Sequence, residues 1–400
     1  MRFPEFTEGW ATKSISDLAT VIGGGTPDTT VKSYWNGDIQ WFTPSEIGKN
    51  KYVDLSLRTI TEEGLNNSSA KLLPPYTILL SSRATVGECS IALQECATNQ
   101  GFQSLIAKNC DMDFLYYLIQ TKKKELIRKA CGSTFLEISA NEIRKIHTYV
   151  PSINEQKKIG VLLSLIDKRI ATQNKIIEDL KKLKSAIVEA LFCAPKESVP
   201  AKRLSPYSKD WKLVKLFDIC QRIQTKNTGR QCRQVLTIAA QYGLVNQEDF
   251  FNKTVASENL ERYYLLQKGD FAYNKSYSGD YAWGAIKRLE RYEQGVLSPL
   301  YICFRPNITK VDADYLAHYF ESKKWYKGIA DIAGEGARNH GLLNISVIDF
   351  FNTIHRIPDL EEQKVIAQFL NKFSSKLSCE QRIMQSLTKQ RNYLLQKMFI

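Results

Sequence analysis

The chain has 400 residues, of which 43% are hydrophobic and 24% are charged, so it is predicted to form two globular domains and is not a largely disordered protein. The sequence contains neither a run of roughly 18 apolar residues nor an apolar signal-peptide core in residues 1–10, so we expect a cytoplasmic protein without a membrane partner. The formal net charge of +13 suits attraction to nucleic-acid phosphate.

Residues 1–150 are predicted to form a first mixed α/β domain. Short strand-like runs bounded by Gly, Pro and Asn include Thr77 to Ser82 and Ser90 to Leu93. A helical pattern covers Phe114 to Lys129. The domain therefore contains both kinds of secondary structure.

Residues 151–193 are predicted to form a long helix. Ser152 and Glu155, just after Pro151, make a capping-box pattern at its start. Apolar residues then recur at alternating spacings of three and four for more than four heptads, which indicates a helix packed lengthwise against another helix. The predicted pairing positions are Ile159, Leu163, Ile166, Ile170, Ile177, Leu180 and Ile187.

Residues 194–210 are predicted to be a linker, because three prolines interrupt them. Residues 211–357 are predicted to form a second mixed α/β domain. Its strand-like runs include Gly269 to Tyr273 and Leu300 to Phe304, and a helical pattern covers Ala313 to Lys327.

Residues 358–400 are predicted to form a second long helix, with a capping-box pattern at Asp359 and Glu362. Its apolar positions repeat those of the first helix, and even the polar interruptions coincide, Gln173 with Glu380 and Lys184 with Arg391. Its predicted pairing positions, each equivalent to one in the first helix, are Ile366, Leu370, Phe373, Leu377, Met384, Leu387 and Leu394.

The two halves of the chain are a long-period repeat. Each opens on a tryptophan, Trp10 or Trp211, and each long helix follows a proline, Pro151 or Pro358. The linker could barely span a helix of roughly 50 Å, so an antiparallel pair with one domain at each end is the favoured topology. The predicted fold class is α+β, with two similar mixed α/β domains separated by two long antiparallel helices that form a coiled-coil spacer.

Several stretches, in their order and duplication, resemble the specificity subunits of type I restriction-modification systems over essentially the whole chain. Family members have two target recognition domains, each followed by a long helix. The stretches that carry the resemblance are Gly24-Gly-Thr-Pro, Tyr34-Trp-Asn-Gly-Asp-Ile-Gln-Trp41, Ser81-Ser-Arg-Ala-Thr-Val-Gly87, Asn99-Gln-Gly-Phe, Tyr273-Asn-Lys-Ser-Tyr, Ser298-Pro-Leu-Tyr, Ala337-Arg-Asn-His-Gly-Leu and the Glu-Gln pairs at 155–156 and 362–363.

The resemblance implies a protein that reads DNA and is not itself an enzyme. Each recognition domain would read one half of a bipartite site in double-stranded DNA, two methyltransferase subunits would bind the helices, and two restriction (motor-nuclease) subunits would complete the complex. S-adenosylmethionine, ATP and magnesium would belong to those partners, so no cofactor is expected in this chain. A rigid spacer suits this role, because half-sites about 34 Å apart present the same face of the duplex.

Candidate DNA-contacting residues follow from loop position and chemistry, because base edges are read by polar side chains and phosphates are held by Lys and Arg. In the first domain they are Lys32, Tyr34, Trp35, Ser82, Arg83, Asn99 and Gln100. In the second domain they are Lys226, Arg230, Asn274, Lys275, Tyr277, Arg338, Asn339 and His340.

The sequence contains no complete catalytic or metal-binding motif. Leu73-Pro-Pro-Tyr76 lacks the amide with which adenine methyltransferases hold a flipped base, and is predicted to be a turn. The triple glycine at 23–25 is not followed by the Lys-Ser or Lys-Thr of a phosphate loop. Nine cysteines without a C-x-x-C pair and four unclustered histidines predict reduced thiols and no metal site.

Two other function classes compete with this interpretation. A self-sufficient restriction-modification enzyme would need catalytic and cofactor motifs of its own. A nucleic-acid-binding coiled-coil scaffold without a restriction role would explain the charge and the helices, but not two non-identical reading domains. Competition between duplex DNA and RNA would separate the scaffold from a DNA reader.

Overall fold

A computed structural model of the chain describes its backbone and side chains. The described residues are 1–132, 136–204, 206–240, 242–251, 259–276, 281–333 and 343–399.

The first half of the chain alternates short strands and short helices and ends in a helix of 39 residues. Its strands are β1 Ala11–Ser14, β2 Ala19–Gly23, β3 Trp35–Phe42, β4 Tyr52–Val53, β5 Arg58–Ile60, β6 Ile78–Leu80, β7 Cys89–Ala92, β8 Cys96–Thr98, β9 Gln103–Ala107 and β10 His147–Val150. Its helices are α1 Ile15–Leu18, α2 Glu62–Asn66, α3 Met112–Thr121, α4 Lys123–Lys129, α5 Ala140–Arg144 and α6 Ile153–Leu191, and two short 3-10 helices cover Lys32–Tyr34 and Pro44–Glu46.

The second half repeats this organisation and also ends in a helix of 39 residues. Its strands are β11 Lys212–Lys215, β12 Cys220–Arg222, β13 Leu236–Ala239, β14 Gly243–Asn246, β15 Tyr264–Gln267, β16 Phe271–Asn274, β17 Ala285–Arg288, β18 Gln294–Leu297, β19 Ile302–Pro306 and β20 Ile354–Ile357. Its helices are α7 Leu216–Ile219, α8 Gln247–Phe251, α9 Ala313–Tyr319, α10 Tyr326–Ile332, α11 Val347–Asn352 and α12 Leu360–Met398, with 3-10 helices at Thr228–Arg230 and Leu260–Arg262.

The chain divides into two compact units, and each unit contains part of both long helices. Unit 1 comprises Met1–Asn174 with Arg382–Ile400, and unit 2 comprises Lys175–Gln381. The unit boundaries therefore fall inside α6 and α12 rather than at their ends.

The principal sheets of the two units share one strand order, which fits the two similar domains that the sequence repeat predicts. In unit 1 the order is β2-β9-β6-β7-β4, and in unit 2 it is β12-β19-β16-β17. Leu105 in β9 pairs with Ile78 in β6, and Phe304 in β19 pairs with Phe271 in β16, so these positions are equivalent. The units differ at one edge, because β7 has β4 beside it and β17 is the last strand of its sheet.

The long helices pack antiparallel within each unit, which confirms the predicted fold. In unit 1, Leu163 near the start of α6 shares a hydrophobic core with Leu394 and Met398 at the end of α12. In unit 2, Leu191 at the end of α6 shares a core with Leu370 near the start of α12. Every predicted pairing position is buried or half-buried.

The second polar interruption of each heptad pattern, Lys184 in α6 and Arg391 in α12, forms an ion pair within its unit. In unit 1, Arg391 lies 2.5 Å from Asp167 and also donates to the end of α3. In unit 2, Lys184 lies 2.8 Å from Glu321, which follows α9. Burial by itself raises the pKa of Glu321, but the hydrogen bond from His318 and the charge of Lys184 lower it to about 2. Both interruptions therefore hold specific ion pairs.

The predicted capping boxes at the starts of the long helices are wrong. The Glu155 carboxylate accepts hydrogen bonds of 2.8 and 2.7 Å from Arg2, and Glu362 accepts bonds of 2.9 and 2.8 Å from Arg203. Both carboxylates are buried, and a buried charge needs a charged, bidentate partner more than a single backbone amide.

The glutamine after each buried glutamate joins the helix start to the adjacent domain. The amide of Gln156 donates to the carbonyl of Pro151, and its oxygen accepts 3.0 Å from the backbone N–H of Asp111, the N-cap residue of α3. Gln363 makes the same pair of contacts with Pro358 and Asp312 in unit 2. The repeated Glu-Gln pair thus fixes where each long helix begins.

The predicted short elements are largely confirmed. All four strand-like runs overlap observed strands, and the two helical patterns overlap α3, α4, α9 and α10. The second helical pattern is broken between Tyr319 and Tyr326. Residues 75–76 form a turn, as predicted, with Tyr76 at a φ of 65°.

The cysteines are all free thiols, and most of them are buried in the hydrophobic cores. Burial raises the pKa of Cys89 to about 12, so its thiol stays protonated. None of the helices in the described ranges combines the length and the apolar character that crossing a lipid bilayer requires.

Leu163→Ala tests the contribution of the long helices to unit 1. The Leu163 side chain is 0% exposed, so we expect its truncation to lower the free energy of unfolding by about 2–5 kcal/mol in urea denaturation. The matched control is Leu165→Ala, because Leu165 is 53% exposed on the same helix and should change stability by less than about 0.5 kcal/mol. Equal effects of the two substitutions would contradict this packing.

His355 makes the stability of unit 2 depend on pH. Its ring is buried between the Tyr319 hydroxyl and the Thr353 hydroxyl, and burial lowers its pKa to about 4. The unfolded chain, with a histidine pKa of about 6.5, takes up this proton first, so the stabilisation is full above pH 6.5 and declines as the pH falls toward 4.

We therefore expect His355 to contribute about 2 kcal/mol to the loss of stability between pH 7 and pH 5. Urea unfolding at both pH values, for the natural chain and for His355→Gln, measures this contribution. The variant should be less stable at pH 7 but show a smaller pH dependence. An unchanged pH dependence in the variant would rule out His355 as its source.

Candidate nucleic-acid interface

Four predicted DNA-contacting residues of unit 1, Ser82, Arg83, Asn99 and Gln100, lie on loops at one end of its principal sheet, while Lys32 and Tyr34 lie on a 3-10 helix and Trp35 begins β3. Strands β2 and β6 both run antiparallel to β9, so their last residues lie beside its first residue. The loops after Gly23 and after Leu80 therefore meet the loop that precedes Gln103. We call this end of the sheet the loop end of unit 1.

The glycines at 24 and 25 let these loops pack closely. A Cβ atom at residue 24 would lie 2.0 Å from the carbonyl oxygen of Asn99, so only glycine fits there. The N–H of Gly25 donates to the Thr98 carbonyl at 2.8 Å, and the Thr26 hydroxyl donates to the side chain of Gln100. Asn99 and Gln100 are thereby joined to the loop that follows β2.

Trp35 packs beneath the same loop. Its indole N–H donates to the carbonyl of Asp28 at 3.1 Å, and its ring meets the ring of Trp41 edge to face, with centroids 5.1 Å apart. The hydroxyl and backbone N–H of Thr30 lower the pKa of Asp28, so its carboxylate stays ionised and fixes the turn. This packing orders the loop around the tryptophans.

Arg58 is an interface candidate that sequence reasoning missed. Its guanidinium carbon lies 3.6 Å from the centre of the Trp35 ring, while the side chain remains exposed. Among the described residues no carboxylate pairs with it. Stacking of this kind holds the flat hydrogen-bond donors of an arginine in place for a partner. Sequence reasoning missed Arg58 because its position opposite the tryptophans of β3 depends on the register between β3 and β5.

The loop before Arg58 is held rigidly yet presents apolar side chains to solvent. Leu57 is 86% exposed, although its backbone N–H donates to Glu46 at 2.7 Å. The Ser56 N–H likewise donates to Gln40 at 2.7 Å. Exposed leucines on a braced loop next to an arginine suit contact with a partner surface.

The structure sorts the seven unit 1 candidates by exposure. Lys32, Arg83 and Gln100 are exposed, and Tyr34 and Asn99 are half-buried. Trp35 is 8% exposed and Ser82 is fully buried, so both are corrected from surface contacts to internal packing residues. Arg83 also pairs with Glu137 at 2.9 Å, which fixes its side chain at the loop end.

In unit 2 the loop after β12 carries a basic surface. The buried Asn227 side chain accepts from the backbone N–H of Cys232 and donates to its carbonyl, which shapes this loop. Lys226 lies 3.6 Å from the centre of the Tyr264 ring, and Arg230 is exposed at a φ of 53°. The loop therefore holds the two predicted cations on an ordered backbone.

Three exposed arginines of this surface were missed from the sequence. Together with Lys226 and Arg230 they form a group that we call the basic loop of unit 2. No ion pair of the described residues involves any of them. The missed members are Arg222, Arg233 and Arg262.

Asn274 and Lys275 lie at the equivalent loop end of unit 2. Strands β12 and β16 both run antiparallel to β19, so the residues after them lie at the same end of that sheet. Asn274 and Lys275 are both half-buried. The remaining candidates, Tyr277, Arg338, Asn339 and His340, lie outside the described residues.

Within the described ranges, no group of three or more His, Cys, Asp or Glu side chains is arranged to hold a metal ion. What the geometry offers instead is two loop ends with exposed basic and amide side chains. Such groups hold phosphates and read base edges.

Comparison with known proteins gives one consistent family. The profile of the type I restriction modification DNA specificity domain matches residues 7–182 and again residues 208–389. The MjaIX specificity subunit of Methanocaldococcus jannaschii is 39% identical over 179 residues, covering 44% of this chain and 41% of that protein. The EcoR124I/EcoR124II specificity subunit of Escherichia coli is 30% identical over 188 residues, covering 45% of each chain.

Longer matches are more distant. The matched region spans less than half the length of the two relatives just named. A match to the MjaVIII specificity subunit of M. jannaschii covers 97% of this chain and 91% of that protein, at 22% identity. The crystal structure of a type I restriction-modification S subunit from M. genitalium covers 100% of this chain and 97% of its own at a TM-score of 0.57 and 16% identity. That structure shares the fold.

Proposed function

The chain belongs to the type I restriction-modification DNA specificity family, and from this membership we propose that it selects the DNA sequence on which partner subunits act. Each unit would read one half of a bipartite site in double-stranded DNA. The observation that carries the proposal is the duplicated domain, in which each copy presents exposed basic side chains and an exposed or half-buried amide at the same end of an equivalent sheet.

Charge supports DNA as the ligand. The basic loop of unit 2 holds five cations that have no carboxylate partner among the described residues, and the whole chain carries a net charge of +13. Cations without an internal partner are available to phosphates, and their contacts set affinity and register. Exposed amides such as Gln100 would then contribute base discrimination.

The long helices are proposed as the spacer and as the docking surface for two methyltransferase subunits. Each has 39 residues, or roughly 58 Å at 1.5 Å per residue. Helix α6 keeps Val161, Leu165, Ile176 and Leu183 between 40 and 57% exposed. Exposed apolar side chains along one helix suit burial against a partner protein.

Chemistry is assigned to partner subunits in this proposal. The methyltransferase subunits would bind S-adenosylmethionine and methylate adenine in each half-site after flipping it from the duplex. Two restriction subunits would supply ATP-driven movement and magnesium-dependent cleavage. This chain would hold the flanking duplex.

Adenine methylation mapping by single-molecule sequencing tests the proposed function. DNA is compared from cells that express the chain with its methyltransferase subunit and from cells that lack only this chain. We expect one bipartite methylated motif to disappear without the chain. An unchanged methylation pattern would support the coiled-coil scaffold instead.

Arg58→Ala tests whether unit 1 reads a base through the arginine stacked on Trp35. We expect one base pair of one half-site to lose discrimination by about 1–3 kcal/mol, or roughly 5- to 150-fold, because the bidentate donor pair is lost. Methylation mapping and competition binding with single-base variants of the site measure this.

Two matched variants sharpen that experiment. Arg58→Lys keeps the charge but not the planar fork, so it should also relax the motif while retaining overall affinity. Arg128→Ala removes an exposed arginine of unit 1 on α4 and should leave the motif intact. A uniform loss of binding by Arg58→Ala, with the motif unchanged, would assign Arg58 a structural role only.

A further inference from the structure

A cavity lined by lysines lies in unit 2 between strand β17 and the second half of α6. Its volume is about 260 Å³. We call it the lysine cavity, and its polar lining comprises Lys181, Lys184, Ser185, Tyr281, Lys287 and Glu321. Aromatic side chains from α10 and the preceding turn close its apolar side.

In the described lining of the cavity, lysines outnumber acids. Glu321 lies 2.8 Å from Lys184. Neither Lys181 nor Lys287 has a carboxylate within 4.0 Å in the part of the chain that the structure describes. Burial lowers the pKa of Lys287, and the charge of Lys184 lowers it as well, while the charges of Glu321 and Glu290 raise it in part. Among the described lining residues, three lysines therefore face one carboxylate, and neither Lys181 nor Lys287 is in direct contact with it.

Unit 1 has no such arrangement at the equivalent place. Phe271 of β16 and Ile78 of β6 are equivalent, and their partners on the next strand are Arg288 and Ile91. The residues just before these partners, Lys287 in β17 and Ser90 in β7, are therefore equivalent as well. Ser90 is fully buried.

In unit 1 the chain itself covers that position. The Ser90 hydroxyl donates to the Asn50 carbonyl and accepts from the Gly48 N–H, and β4 then pairs with the outer edge of β7. In unit 2, β17 is the last strand of its sheet. The second repeat thus places a lysine and a cavity where the first repeat places a serine and a covering loop.

We propose that the lysine cavity is a binding site for a phosphate group. The described lining carries three lysines and one glutamate, an excess of basic groups that suits a phosphate dianion. Ser185 and Tyr281 bring hydroxyl groups to the same lining, and lysine ammonium groups bind phosphate oxygens as point charges. A carbohydrate or an apolar ligand would leave those charges uncompensated.

The phosphate could come from two sources with this chemistry. One is a phosphodiester of the bound duplex, an assignment that rests on the proposed function. The other is a free phosphate or a phosphorylated small molecule. The two sources differ in whether the cavity changes DNA binding.

The experiment measures the melting temperature of the full chain in potassium phosphate and in potassium chloride at equal ionic strength. We expect phosphate to raise Tm by about 2–4 °C in the natural chain by selective binding to the folded state. Lys287→Met should abolish the rise. Lys287→Ser, which installs the residue of the first repeat, gives a second variant should the methionine impair folding. Lys372→Met, an exposed lysine of α12 outside the cavity, should keep the rise.

Duplex binding of the same proteins at several salt concentrations identifies the source. If Lys287→Met also reduces the slope of log K against log salt by about one, the cavity holds a DNA phosphate. If the phosphate effect on Tm is lost but the salt slope is unchanged, the ligand is a free phosphate compound. The proposal is overturned if Tm of the natural chain is the same in phosphate and chloride and the salt slope does not change in the variants. The proposed function is tested separately, by the methylated motif.

Discussion

The exchange of helix ends between the two halves of the sequence is the constraint on which the structure depends. Leu394 and Met398 from the last helix complete the core that also contains Ile15 and Leu163. Leu191 at the end of the first long helix and Phe192 just after it complete the core around Tyr315 and Trp211. Each of these two hydrophobic cores contains residues from both halves of the sequence. The heptad pattern therefore serves two purposes, because its residues pair the helices and also fill the domains.

A buried carboxylate fixes the start of each exchanged helix. Glu155 and Glu362 are both bound by an arginine that lies far away in the sequence, and the glutamine after each one holds the N-terminus of a domain helix. Removing one partner of a buried ion pair typically costs 3–5 kcal/mol, because the other charge stays buried. The same set of polar contacts therefore holds the start of the long helix in both units.

The sequence predicted the parts of the fold that rest on periodicity. The heptad spacing predicted both long helices, and the offset between the two halves predicted two similar domains. The order of the strands within each sheet was not predicted, because strand pairing is not a local property. The sequence did not predict the partners of Glu155 and Glu362, since Arg2 and Arg203 carry no local signal for that role. Trp35 and Ser82 were placed on the surface because their loops were recognised, whereas burial depends on how the loops pack.

The same limit applies to the candidate interface. The loops were predicted in the right places, because Gly, Asn and Pro mark chain reversals. Arg58 and the arginines of the basic loop were missed because their roles depend on register across strands and on the absence of acidic neighbours in space. Lys287 is the clearest case. It stands out only because β7 has a buried serine at the equivalent position, and this equivalence is known only from the strand pairing.

The exchanged helix ends also set an order of folding during synthesis. The ribosome releases most of unit 1 first, but Leu394 and Met398 follow only after the whole of unit 2 has been made. Until then the apolar face around Leu163 and Ile166 lacks the helix that packs against it. Contacts between residues so far apart in the sequence form slowly. The first unit to be synthesised is therefore the last to be completed, and the nascent chain exposes part of its core throughout elongation.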